Sequence, residues 1–74
     1  MIKIDGNKTV YNLIQENEEL KTVLVNLGFE PLNDDKMLST LGRIMTLKNG
    51  AKQIRLSEED LIEGLRKEGY EVEL

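Results

Sequence analysis

This chain of 74 residues contains no cysteine, no histidine and no tryptophan, and only one proline and one phenylalanine. Each absence closes off chemistry. Without cysteine there is no disulfide to staple a small core, and no thiolate to serve as nucleophile, cluster ligand or redox group. Without histidine the usual proton shuttle near neutral pH and the commonest metal ligand are missing. No apolar run approaches the ~20 residues of a membrane helix, and the first residues lack the apolar stretch of a secretory signal. The expectation is a cytoplasmic protein with no membrane attachment. The length fits a single domain, residues 1–74. A chain this short buries only about 60–65% of its unfolded surface, which limits its stability.

What is present is charge, unevenly spread. The net charge is −4. Residues 1–35 carry three bases and seven acids, and residues 58–74 carry two bases and seven acids. Between them, residues 36–57 carry five bases (Lys36, Arg43, Lys48, Lys52 and Arg55) and no acid. Two readings stand side by side. The basic middle either pairs with the acidic ends inside the fold, or remains available to an acidic partner.

Helix signals dominate the rest. Met1–Asp5 alternates apolar and polar residues, as a short strand does, and Gly6-Asn7 marks a turn. Thr9 is placed to cap a first helix carrying Val10, Leu13 and Ile14, and Asn17 to cap a second carrying Leu20, Val23, Leu24 and Leu27 at i, i+3, i+4, i+7. Gly28 then stops that helix in a Schellman turn, with Phe29 folding back on Leu24 and Pro31 blocking continuation. "EGYEV" at 68–72 repeats the device, with Tyr70 over Leu65. Asn33 or Asp34 caps a third helix with a stripe of Met37, Leu38, Leu41, Ile44 and Met45, which Gly42 is expected to interrupt. Thr46 caps a fourth helix bearing Leu47, Ala51 and Ile54. Ser57, with Asp60 in the manner of a capping box, starts a fifth in which Leu61, Ile62 and Leu65 face inward. Gly50 and Gly64 lie mid-helix, where close helix contact is their expected purpose. The alternating tail Tyr70–Leu74 is a candidate partner for Ile2–Ile4. The fold class expected is mainly α: a compact array of four or five short helices, with a short two-stranded pairing of the terminal segments.

The segments "TVYNLIQENEELKTVLVNLGFEPL" and "TLGRIMTLKNGAKQIRLSEEDLIEGLRKEGYEV" together resemble a family of small helical domains of unknown function. Relatives of that family include the hybrid-cluster-protein-associated redox disulfide domain and the N-terminal domain of ScdA-type iron–sulfur cluster repair proteins. The resemblance covers about residues 9–72 and implies an all-α array, used alone or as an appendage to redox or sensor domains. Redox relatives carry Cys-x-x-Cys soon after the Leu-Gly turn. Here that place reads Phe29-Glu30-Pro31-Leu32-Asn33, so disulfide exchange and cluster ligation do not carry over. This looks like a Cys-less branch with "PLNDDKMLSTLGR" in place of the thiols.

No catalytic constellation emerges, and the chain is not expected to be an enzyme. Ser39 and Ser57 have no histidine to activate them and no Ser-x-x-Lys spacing. Asp34-Asp35 and Glu58-Glu59-Asp60 lack metal-loop spacing and lie at helix starts, where the dipole favours acids. No metal or cofactor is implied. Residues 46–68 read helix, turn, helix, with Ala51 at the small-residue position of a DNA-binding motif. The second helix, however, would present three carboxylates to DNA, which makes nucleic acid an unfavoured partner. An anion or acidic-partner site is the sharper reading: Thr40, Gly42, Arg43, Lys48 and Asn49 flank the start of the fourth helix, whose N–H groups could join in. Against it, Arg43 could simply pair with an acid. Phe29, Met37 and Met45 suggest an adaptable apolar groove for a partner helix or a hydrophobic ligand, or else plain core. The reading that results is a non-catalytic interaction or sensor-accessory domain. Its candidate surface comprises Phe29, Met37, Thr40, Gly42, Arg43, Lys48 and Asn49, for a protein partner or small anion.

Overall fold

The computed structural model describes residues 1–74. A strand β1 (Ile2–Asp5) leads into helices α1 (Val10–Glu16) and α2 (Glu19–Leu27). A 3-10 turn (Glu30–Asn33) follows, then α3 (Asp35–Ile44), α4 (Leu47–Gln53), α5 (Glu58–Lys67) and the closing strand β2 (Tyr70–Glu73). The fold class is the one read from the sequence: five short helices and a pairing of the two ends. The strands run parallel, Ile2 opposite Tyr70 and Ile4 opposite Val72. Ile4, Tyr70 and Val72 point into the core, whereas Ile2 is exposed.

Caps place most helix starts. Thr9 Oγ1 accepts from Asn12 N–H, Thr46 Oγ1 from Asn49 N–H, and Ser57 Oγ from Asp60 N–H. Asp34 caps α3 by accepting from Lys36 N–H. Asn17 does not cap α2. It ends α1 in an extended conformation, and the first turn of α2 closes instead through backbone bonds from Leu20 N–H to Asn17 O and Lys21 N–H to Glu18 O. The two threonine caps stand back to back. A bridge joins Thr9 to Thr46, with Val10 N–H donating to Met45 O and Leu47 N–H to Lys8 O. Helices α1 and α4 thereby start from one shared joint.

The helix ends follow a common geometry. At Gly28 (φ 124°), Phe29 N–H reaches back to Leu24 O at 3.0 Å and Gly28 N–H to Val25 O at 3.1 Å, which is the Schellman pattern. Gly69 (φ 92°) turns the chain similarly, but Tyr70 goes on into β2 rather than bonding back to Leu65. A third stop is invisible to glycine counting. Arg55 holds φ 60°, with Leu56 N–H bonded to Ala51 O and Arg55 N–H to Lys52 O.

Fifteen buried residues drawn from every element form one core, centred on Phe29, Leu20, Leu24, Leu32, Leu47, Leu61 and Leu65. Glycines allow close crossings. A Cβ at Gly64 would lie 2.5 Å from Leu27 Cδ2, and one at Gly50 would lie 2.9 Å from Phe29 Cε1. Gly42 does not interrupt α3. It is buried where α3 crosses α1, and a Cβ there would already touch Tyr11 at 3.5 Å.

Candidate functional site: an apolar groove between α3 and α4

The apolar stripe of α3 is about 120° wide, since successive helical residues are about 100° apart. One edge of it, Leu38 beside Gly42, packs inward against α1 and the 3-10 turn. The other edge is left open. Leu41 is 40% exposed and Ile44 is 79% exposed, unusual values for large aliphatic side chains within a helix stripe. With half-buried Met37 and Met45 they form one wall of a groove of about 470 Å³. Asn49, Gln53 and Ile54, from α4 and its end, form the facing wall, the buried Phe29 and Leu32 lie at its base, and exposed Pro31 also lines it. The Gly28 stop and the proline turn set that base: the first fixes where Phe29 enters the core, and the second brings Pro31 and Leu32 alongside it.

The seven candidate residues divide. Met37 and Asn49 line the groove, and Phe29 lies beneath it, only 1% exposed and so a core residue rather than a surface contact. Gly42 packs against Tyr11 instead of facing a ligand. Arg43 takes no carboxylate partner. Its guanidinium stacks on the Tyr11 ring, 4.4 Å from the centroid, and Nη2 donates to Tyr11 OH at 3.2 Å. The Thr40 hydroxyl donates to Lys36 O, one turn back in its own helix. Lys48 is half-buried at the start of α4. The N–H groups there are not open to an anion. Leu47 N–H donates to Lys8 O, Lys48 N–H to Gly6 O, Asn49 N–H to Thr46 Oγ1 and Gly50 N–H to Thr46 O. The helix start expected to hold an anion is already saturated, half by the β1–α1 turn and half by Thr46.

Pro31, Leu41, Ile44, Gln53 and Ile54 complete the groove, and none of them reads as a site residue in the sequence. A sign of the open wall was present. Four large apolar residues in a ten-residue helix, with Met45 just past its end, are more than one packed face needs.

Electrostatics set this face apart. Ion pairs link Lys8 to Glu16 (2.8 Å), Lys21 to Asp35 (3.0 Å) and Arg66 to Glu63 (3.5 Å). None uses a base from residues 36–57, so the basic middle does not pair with the acidic ends. All five of its bases adjoin a groove residue in sequence: Lys36 beside Met37, Arg43 beside Ile44, Lys48 beside Asn49, Lys52 beside Gln53 and Arg55 beside Ile54. The one acid so placed is Glu30. The acidic cluster Glu58-Glu59-Asp60 occupies the first turn of α5, and both serines have backbone partners, Ser39 Oγ donating to Asp35 O and Ser57 capping α5. No helix is long and apolar enough to cross a membrane.

Comparison with known proteins agrees with this architecture. The chain is similar to a conserved domain protein from Streptococcus pneumoniae TIGR4, known from a crystal structure: 33% of residues are identical, the match covers 99% of this chain and 92% of that one, and the TM-score is 0.93. A search of curated proteins finds no match. A family model described as "Domain of unknown function (DUF1858)" matches residues 4–62. Most of the length, from β1 into α5, is thereby accounted for, and the chain belongs to the DUF1858 family.

Proposed function

We propose that this domain is a non-catalytic interaction module and that the α3–α4 groove is its contact face. The observation that carries the reading is Ile44, a 79% exposed isoleucine beside Leu41 on the wall of a concave apolar surface. Isolated exposed apolar residues need no explanation, but a contiguous set lining a groove marks a contact site. Met37 and Met45 suit such a site because unbranched thioether side chains adapt to what they touch. In the redox relatives that the sequence resembles, the bend after the Leu-Gly turn carries two thiols. In this chain the same bend supplies the base of the groove, so a role beside redox or sensor domains would be exercised by docking rather than by sulfur chemistry.

The test uses helical peptides with leucine at i, i+3, i+4 and i+7, followed through the methyl NMR signals of Met37, Met45, Ile44 and Ile54. Binding should shift these methyls and leave those of Leu61 and Leu65 in place. Ile44→Asp should abolish the shifts with little change in melting temperature, because the side chain it replaces is already largely in water. Shifts confined to another face, or none with any peptide, would overturn the reading.

A further inference from the structure

We infer that the occupant of the groove is an amphipathic helix with acidic flanks on another protein, a conclusion that rests on the groove being a contact face at all. The apolar wall and the charge around it must be satisfied together. Met37, Leu41, Ile44 and Ile54 call for a stripe of aliphatic side chains, as in helix-in-groove recognition. No lining residue is itself charged, but the five bases next to them in sequence have no carboxylate partner within the protein. Arg43 is held on the Tyr11 ring, which leaves Lys36, Lys48, Lys52 and Arg55 without a side-chain partner, and Glu30 is the single acid next to a lining residue in sequence. An acidic amphipathic helix uses both features at once.

Each rival occupant uses only part of them. A small apolar ligand would leave the bases idle. A nucleic acid would set phosphates over the bases but strand Ile44 and Leu41 against a polyanion. A second copy docked groove to groove would bring together two segments, residues 36–57 of each copy, that carry five bases and no acid, and like charges across an interface are repulsive. An anionic membrane matches the charge, but a flat lipid surface does not fill a concave site whose base lies at the buried ring of Phe29.

Charge variants of one peptide separate these cases. Three peptides share the leucine stripe and differ on the flanks, which carry glutamate, glutamine or lysine. The glutamate peptide should bind at least about tenfold more tightly than the glutamine one at ~0.05 M salt, with the gap closing towards ~0.5 M, where screening shortens to roughly 4–5 Å. Lys36→Glu with Lys52→Glu is the matching protein variant. Both side chains are exposed and outside any ion pair, so the fold should persist. The variant should lose the glutamate preference and gain a lysine preference, an inversion that mere structural damage would not produce.

The failures are distinct. Equal binding of all three peptides at the methyls of Met37 and Ile44 would overturn the acidic partner while leaving the groove as the contact face. No binding by any peptide would overturn both. Concentration-dependent dimers that bury those methyls, or binding to phosphatidylserine vesicles that is stronger than to the glutamate peptide, would overturn the acidic helix in favour of a second copy or a membrane.

Discussion

Gly28 gives the most direct test of how the groove is built. Its φ of 124° lies beyond the left-handed basin that L-residues occasionally visit, and it sets the geometry by which Phe29 N–H reaches Leu24 O at 3.0 Å. Alanine at such a position costs roughly 1–3 kcal/mol of backbone strain, offset by roughly 0.5–1 kcal/mol because the unfolded chain loses freedom. The new Cβ would also stand 3.3 Å from Ile54 Cδ1, so that half-buried groove residue must give by a few tenths of an ångström. The net expectation is about 1–2 kcal/mol for Gly28→Ala and about 2–3 for Gly28→Val, whose β-branch is stiffer. For a domain of this size the total stability is about 4–11 kcal/mol, and each kcal/mol moves the melting temperature by about 4–8 °C. Gly28→Val should therefore melt roughly 10–20 °C lower, with a reduced urea midpoint at an unchanged slope. Gly69→Ala is the control. Its φ is 92° and a Cβ there meets nothing within 4 Å, so it reports strain alone and should cost less than Gly28→Ala. If Gly28→Val melted within a degree or two of the unaltered protein, the glycine stop could not be what positions Phe29 under the groove.

The other expectations are independent of this one. Arg55→Gly should raise stability by a few tenths to about 1 kcal/mol, because relief of a left-handed non-glycine residue, about 1–2 kcal/mol, exceeds the entropy cost of glycine; a lower melting temperature would show that the Arg55 side chain contributes more than its backbone costs. Burial, followed by the nearby Glu19 and Glu68 carboxylates, pushes the Tyr70 phenol above its usual 10.0, while a hydrogen bond with Asn17 works the other way. A raised folded pKa means stability fully present below pH ~10 and lost as pH rises through the folded value. The melting temperature should accordingly fall above pH 10, and Tyr70→Phe should make that fall shallower; identical alkaline slopes would contradict it. Duplex DNA at low salt should give no gel shift, given the three carboxylates in the first turn of α5, and a salt-dependent shift would reverse that expectation.

What could be read from the sequence were the local signals. Thr9, Thr46 and Ser57 cap because a hydroxyl two or three residues before a free N–H satisfies it whatever the tertiary context. Gly28 and Gly69 turn because only glycine takes those φ values cheaply. The missing parts are long-range. Arg55 ends α4 without glycine, held by Leu56 N–H on Ala51 O and by packing that no composition rule reveals. The start of α4 looked like an anion site until Gly6 and Lys8, some forty residues upstream, supplied its acceptors. Arg43 reads in the sequence as a partner for an acid, and its partner in the fold is an aromatic ring. The α3 stripe was plain in the sequence, yet which edge of it would be covered depended on where α1 crossed, a question that the glycine at position 42 settled.

The magnitudes also decide how such a groove must work. Fully burying an isoleucine or leucine side chain yields about 1.5–3 kcal/mol, so covering the exposed parts of Ile44 and Leu41 yields about 2–3.5 kcal/mol. Matching side chains on a partner add a similar amount, for about 4–7 kcal/mol in total. Association itself costs about 4–15 kcal/mol, so the apolar contact alone leaves little net affinity and a Kd no better than about millimolar. The four bases without a side-chain partner, Lys36, Lys48, Lys52 and Arg55, tip that balance. Surface charge pairs are worth up to about 1 kcal/mol each, and two or three of them supply the tenfold or greater preference for an acidic partner. Contact through this face should therefore be transient and strongly weakened by salt. A submicromolar complex seated in the groove and indifferent to ionic strength would mean that its affinity comes from contacts other than these.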